Sequence, residues 1–272
     1  MKVAAIQMVS TGDLHDNLQV ARSLLAQAAD ARAELAVLPE YFCLIGMKDS
    51  DKLGIQEPYG SGPIQAFVAN AARDLGLWIV AGTLPLTASQ PDHVFNSSLA
   101  YNPQGECVAR YDKIHLFRFS NGTESYDESR VLERGSTPTV FTLPSKDGHS
   151  WSVGMSVCYD MRFAELYREY AKRGVDLLLA PSAFTHTTGE AHWEVLLRAR
   201  AIENLSFVAA AAQGGVHPSG RRTWGQSLLI DPWGKVLAQQ AQGPGVVLAD
   251  LDYRQLQHCR AQLPALQHRV LA

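Results

Sequence analysis

Apolar residues fall along this chain in two alternating spacings. Short continuous runs at Val3–Met8 and Leu35–Pro39 bracket a stretch in which Leu18, Ala21, Leu24, Leu25 and Ala28 recur at helical spacing. Asp13 and Asp16 stand ahead of that stretch, and either can cap it. The result is a β-α-β unit. The scheme returns with a helix over Ile64–Leu75, a strand at Trp78–Leu84, and an extended run at Asn96–Tyr101 that ends in the turn Asn102-Pro103-Gln104-Gly105. In the second half, Ser152–Cys158 is a strand and Phe163–Arg173 a helix stopped by Gly174. Val175–Ala180 is a continuous apolar strand and Glu190–Asn204 a longer helix. Further strands are predicted at Phe207–Ala212, Ser227–Asp231 and Val246–Asp252. No Gly/Ser- or Pro-rich linker interrupts the series. The pattern therefore predicts one α/β domain over residues 1–272, with two sheets and helices on their outer faces. Phe117–Thr139 is the one long stretch without clear periodicity, and loops of that length commonly carry function.

Composition narrows the picture. With 272 residues, 46% of them hydrophobic, the chain can bury a full core without staples. A formal net charge of -3 argues against nucleic acid or an anionic membrane surface as partner and leaves small molecules. The apolar run near Met1 is too short for a signal-peptide core, and no run reaches transmembrane length, so a cytoplasmic protein is expected. Cys43, Cys107, Cys158 and Cys259 are scattered without a CxxC pair, which disfavours a zinc site and a disulfide framework. At least one thiol is free for chemistry.

Three loci lie at the ends of predicted strands, where open α/β sheets place ligands. In Leu38-Pro39-Glu40-Tyr41, Glu40 directly follows an apolar run; desolvation there would raise its pKa toward a general-base value. A strand-end carboxylate that caps the next segment is the alternative. In Tyr111-Asp112-Lys113-Ile114-His115-Leu116, Lys113 interrupts a half-buried extended run. It can hold an oxyanion and keep a neighbouring thiol ionised, or simply pair with Asp112 at the surface. In Val157-Cys158-Tyr159-Asp160-Met161-Arg162-Phe163, Cys158 sits at a strand-to-helix elbow. That placement lifts a nucleophile toward helix-terminal N–H groups, which lower a thiol pKa, and aims the Tyr159 N–H at a developing oxyanion. A buried structural cysteine is the alternative.

Taken together and in this order, the three motifs resemble the nitrilase superfamily of carbon–nitrogen hydrolases, over nearly the whole chain from Ala4-Ala5-Ile6-Gln7-Met8 to Leu263-Pro264. The resemblance implies a four-layer α-β-β-α sandwich, no cofactor and no metal, and homodimers joined through helices of the second half. It implies Glu40 as general base, Lys113 as oxyanion partner and Cys158 as nucleophile. A second family glutamate fits Glu128 in Tyr126-Asp127-Glu128-Ser129, to position Lys113 and the substrate; Asp127 and Glu124 are competitors.

Cys158-Tyr159-Asp160-Met161-Arg162-Phe163, Pro181-Ser182-Ala183-Phe184 and Ala191-His192-Trp193 look like a subgroup that cuts α-keto acid amides. The expected substrate is deaminated glutathione, with α-ketoglutaramate as the alternative. Arg162 is expected to clamp the keto acid carboxylate, and Thr188, placed in a loop before the helix at Glu190, to offer it a hydroxyl. Pairing of Arg162 with Asp160 or Glu165, and capping by Thr188, are the structural alternatives. Departures from the subgroup pattern fall at Arg118, Glu190 and Trp224-Gly225-Gln226-Ser227, none of them in the triad. A true nitrilase is disfavoured because Tyr159-Asp160 follows the cysteine, and a non-catalytic scaffold because all three triad positions are intact. The arginines Arg198, Arg200, Arg221 and Arg222 read as ion-pair formers, and His186, His192 and His217 lack metal-ligand spacing.

Overall fold

The computed structural model describes residues 1–270. Its first half contains strands β1 (Lys2–Gln7), β2 (Leu35–Val37), β3 (Trp78–Val80), β4 (Leu84–Thr87), β5 (Val94–Tyr101) and β6 (Cys107–Asp112), with helices α1 (Leu14–Asp30) and α2 (Pro63–Leu75). A short hairpin follows, β7 (Arg118–Ser120) with β8 (Ser125–Asp127), and then β9 (Leu132–Glu133). The second half contains β10 (Val140–Pro144), β11 (Ser150–Met155), α3 (Ala164–Lys172), β12 (Leu177–Leu179), α4 (His186–Asn204) and β13 (Phe207–Ala210). It closes with β14 (Ser227–Ile230), β15 (Val236–Gln240), β16 (Gly245–Asp250) and α5 (Tyr253–Gln262).

Two large sheets result. The first runs β16-β1-β2-β3-β5-β4, with β6 and β9 also on β5. The second runs β10-β11-β12-β13-β14-β15. In each, the central strands are parallel, β1-β2-β3 in one and β11-β12-β13 in the other. Strand periodicity divides the residues of β1 between two layers. Val3 and Ala5 join the core shared with Val153, Met155 and Leu177 of the second sheet, while Ala4 and Ile6 pack with Leu24, Leu25 and Val68 of α1 and α2. On the far side, α3 lies over Gly154, whose missing Cβ makes room for the Tyr170 ring. The order is therefore helix, sheet, sheet, helix, as expected.

Local signals explain most boundaries. Asp13, one of the two capping candidates, takes the Asp16 N–H at 3.0 Å and starts α1. The single run expected at Trp78–Leu84 is split at Gly82, whose φ of +41° and close approach to the Pro39 carbonyl exclude a side chain. That contact sets the turn carrying Glu40. Helix α4 begins four residues earlier than expected, so Thr188 lies in its first turn instead of a preceding loop. Strands β10 and β15 and helix α5 were not anticipated, and no helix among the described residues is long and apolar enough to cross a membrane.

Candidate active site

Four strand ends converge on one buried cluster. Glu40 follows β2, Lys113 follows β6, Cys158 follows β11 and Ala183 follows β12. Glu40 and Lys113 are each 1% exposed and Cys158 7%. Lys113 Nζ donates to Glu40 Oε1 at 2.9 Å and to both oxygens of Glu128, at 2.9 and 2.8 Å. Asn96 Nδ2 donates to the same Glu40 oxygen at 2.9 Å, and the Ala183 N–H donates to the other at 2.8 Å. The Cys158 thiol completes the set, lining the same cleft as Glu40.

Glu128 is thus the loop acid that meets Lys113, and it is held in turn by the Tyr41 hydroxyl at 2.9 Å and the Phe117 N–H at 2.7 Å. Its competitors point elsewhere. Asp127 accepts from Ser129 and caps the short turn Glu128–Arg130, while Glu124 accepts from the Thr187 hydroxyl.

The backbone around Glu40 and Cys158 is bent sharply. Tyr41 has φ +56° and donates its N–H to Thr83 Oγ1 at 2.9 Å, and Gln213 Nε2 holds the Glu40 carbonyl at 3.1 Å. Cys158 has φ +50°, a left-handed conformation at the elbow, and its N–H donates to the Pro181 carbonyl at 3.0 Å. Residues Cys158–Arg162 form one tight helical turn, so the Tyr159 N–H sits in an opening turn, where N–H groups lack an intrahelical acceptor. The elbow is braced by Asp160, which is wholly buried. It accepts from the Val157 N–H at 2.8 Å, the Tyr111 hydroxyl at 2.7 Å, and both the N–H and Nδ1 of His115 at 3.1 and 2.7 Å.

The electrostatics correct two expectations. Burial pushes the Glu40 carboxyl up, as the sequence predicted. The Lys113 ammonium and the hydrogen bonds from Lys113 and Ala183 outweigh it, so Glu40 lies below the usual carboxylate range and is ionised. The thiol behaves in the opposite way to expectation. Burial and the adjacent Glu40 charge raise Cys158 well above the ordinary thiol range, and Lys113 only partly opposes them. The resting pair is therefore carboxylate and neutral thiol. Lys113 is raised, because Glu128 and Glu40 together exceed its desolvation.

A narrow cleft opens onto these groups, lined by Phe117, Tyr159, Phe184, Thr188 and Arg221 among others. Thr188 is buried there and shares a hydrogen with Thr185 Oγ1 at 2.7 Å. Arg162 is not among the lining residues. Its guanidinium lies 5.3 Å from the Phe184 ring centroid and 5.8 Å from that of Tyr159, with Nη1 3.3 Å from His192 Nδ1. It pairs with neither Asp160 nor Glu165. The tight turn after Cys158 sets its guanidinium against two rings that line the cleft. Sequence reasoning missed Asn96 and Tyr41 as site residues, and it read Arg221 as an ion-pair former. Asn96 carried one signal, a side-chain amide within a strand that is otherwise apolar apart from Ser97 and Ser98.

Sandwich and site together define a hydrolase scaffold with a buried acid, cation and thiol. The carbon-nitrogen hydrolase family model matches residues 2–261. A deaminated glutathione amidase from Synechocystis sp. (strain PCC 6803 / GT-S) is 38% identical over 270 residues, 98% of this chain and 97% of that protein. The crystal structure of the Caenorhabditis elegans NitFhit protein superposes with TM-score 0.88 at 35% identity, covering 99% of this chain and 65% of that longer one. An amidase from Nesterenkonia sp. AN1, solved after Michael addition of acrylamide at its active-site cysteine, superposes with TM-score 0.77 at 27% identity over 97% of this chain and 98% of that one. The chain belongs to the carbon–nitrogen hydrolase family. It is a hydrolase of carbon–nitrogen bonds.

Proposed function

We propose that this protein is an amidase that cuts deaminated glutathione into 2-oxoglutarate and cysteinylglycine through a thioester on Cys158. The observation that carries the reading is the buried cluster itself, with Glu40 2.9 Å from Lys113 Nζ and facing the same cleft as the Cys158 thiol. The similarity to the Synechocystis amidase supports the substrate.

Glu40 takes the thiol proton as Cys158 Sγ attacks the amide carbonyl carbon. The oxyanion so formed is stabilised by Lys113 Nζ and the Tyr159 N–H. As the C–N bond breaks, Glu40 returns its proton to the leaving amine. A water then attacks the thioester, Glu40 accepts its proton, and cleavage of the C–S bond releases the acid and restores the thiol. Glu128 positions Lys113 throughout. The chain acts as one domain over residues 1–272, and as a homodimer joined through second-half helices; on α4, Val195 and Ile202 are 69% and 46% exposed.

Purified protein assayed side by side on deaminated glutathione, α-ketoglutaramate and a simple nitrile tests the reading. The expected result is highest kcat/KM on deaminated glutathione, with stoichiometric cysteinylglycine. Preference for α-ketoglutaramate would reassign the substrate, and nitrile turnover without amide turnover would overturn the reaction class.

A further inference from the structure

Arg221 is the cation that the cleft shares with a chamber beside it. The chamber holds about 370 Å³ and carries Lys48, Lys52, Asp49, Glu124 and Tyr126 on its walls. Most of these charges are already engaged. Lys52 Nζ lies 3.3 Å from Asp49 Oδ1, and Glu124 accepts from Thr187 at 3.0 Å. Arg221 makes no ion pair among the described residues. Its Nη2 donates to the Ala183 carbonyl at 3.1 Å and its guanidinium lies 5.6 Å from the Tyr126 ring centroid, which leaves the buried Nε without a partner. An arginine that lines the cleft without a carboxylate partner keeps guanidinium donors free for a ligand group.

Lys52, 8% exposed, strengthens the case. Its ammonium sits 4.4 Å over the Tyr41 ring, and burial together with the nearby Arg221 charge drives it below the usual lysine range. Three cations, Lys48, Lys52 and Arg221, thus line one space with two carboxylates, Asp49 and Glu124. The loop holding Arg221 is fixed by His217, buried, with one ring nitrogen 2.8 Å from the Ser10 carbonyl and the other 2.8 Å from Thr223 Oγ1. The arginine fork is therefore preorganised, so little entropy is lost when it takes up a carboxylate. Ala183 also links this fork to the chemistry. Its carbonyl holds Arg221 while its N–H holds Glu40, which sets the span between the scissile bond and the guanidinium.

We propose that Arg221, backed by Lys52, binds a carboxylate of the amide substrate and makes the enzyme selective for amides that carry one. The inference rests on the amidase reading above. The carboxylate comes from the acyl end or from the departing amine, and the experiment separates these.

Four amides are compared on wild type, Arg221→Gln and Arg221→Lys: deaminated glutathione with a carboxylate at both ends, α-ketoglutaramate at the acyl end only, butanoyl-cysteinylglycine at the amine end only, and butanamide with none. The kcat/KM ratio of a recognised substrate to butanamide is expected to fall by on the order of ten- to a hundredfold in both variants, since lysine does not reproduce the fork. A selective fall for α-ketoglutaramate assigns the acyl end, and one for butanoyl-cysteinylglycine the amine end. An equal fall on all four, or none on any, overturns the proposal. Should wild type hydrolyse none of them, the amidase reading fails by itself. Calorimetry of 2-oxoglutarate and cysteinylglycine binding to Cys158→Ala, with and without Arg221→Gln, then decides. At least tenfold weaker binding of one product supports the site, and binding of neither, or binding unaffected by the substitution, overturns it.

Discussion

Glu40 and Lys113, 73 residues apart in sequence, form a 2.9 Å ion pair in which both side chains are almost wholly removed from water. Lys113 also neutralises Glu128, so its removal strands two carboxylates. Lys113→Ala is expected to abolish turnover and to destabilise the fold by about 3–5 kcal/mol, a melting-point drop on the order of 10 °C. The double variant Lys113→Ala/Glu128→Gln should recover part of that loss in a thermal melt. An unchanged melting temperature in the single variant would show that water or rearrangement already compensates the carboxylates.

Glu40→Gln keeps a hydrogen-bonding amide at the same place but cannot accept the thiol proton. Turnover is expected to fall by about 10²–10⁴. Retention of a tenth of the wild-type rate would remove Glu40 as the base. Because its folded pKa is depressed, Glu40 stays ionised as pH drops below the ordinary carboxylate range near ~4.3. Its share of stability is present above that value and lost as pH falls through the lower, folded one.

The neutral state of Cys158 is testable by alkylation, since thiolate is the reactive form. Iodoacetamide should modify Cys158 more slowly than a free cysteine at about pH 7, with the rate still climbing above about pH 9. A fast, pH-independent rate near neutrality would mean that Lys113 holds a thiolate after all. Cys158→Ala should be inactive, whereas Cys43→Ala, Cys107→Ala and Cys259→Ala should turn over near wild type.

Asp160 touches no reacting atom in the proposed mechanism and acts as a positioning residue through the elbow. Asp160→Asn keeps the volume but cannot accept all four hydrogen bonds. Expected is a drop in kcat of on the order of 10², with KM little changed, because a displacement near 1 Å is enough to misplace a nucleophile. A rise in KM at constant kcat would place Asp160 in substrate binding instead.

Arg162→Lys is expected to change kcat/KM by no more than about twofold, equally for carboxylated and neutral amides, as for substitutions away from a site. A loss confined to carboxylated amides would return Arg162 to the cleft.

Glu40, Lys113 and Cys158 were legible because each is a chemistry-bearing residue next to an apolar run, and the order of the runs carried the family pattern. Their ionisation was not. A local reading sees the burial of Glu40 but not the ammonium that arrives from β6, so the direction of its shift came out reversed. Glu128 lay among three acids in a segment without periodicity, and only the closing of that segment onto Lys113 separates them. Arg162 was placed by counting residues as if the turn after Cys158 became a regular helix; the observed turn is tighter and sets its guanidinium 5.3 Å from the Phe184 ring centroid. Strand β15, Val-Leu-Ala-Gln-Gln, and the polar helix α5 lack a strong apolar period, so tertiary packing decides them.

The hydrogen bond from the Ala183 N–H to Glu40 spans the two halves of the sandwich, since Glu40 is anchored to one sheet and Ala183, with Cys158, to the other. Catalysis is thereby a gauge of how the layers are seated. A slip of one sheet over the other by an ångström or two would leave every strand and helix intact and silent in far-ultraviolet dichroism, yet part the base from its thiol. Under mild denaturant, turnover should therefore fail before secondary structure does, and the gap between the two midpoints would measure the energy that holds the sheets in register.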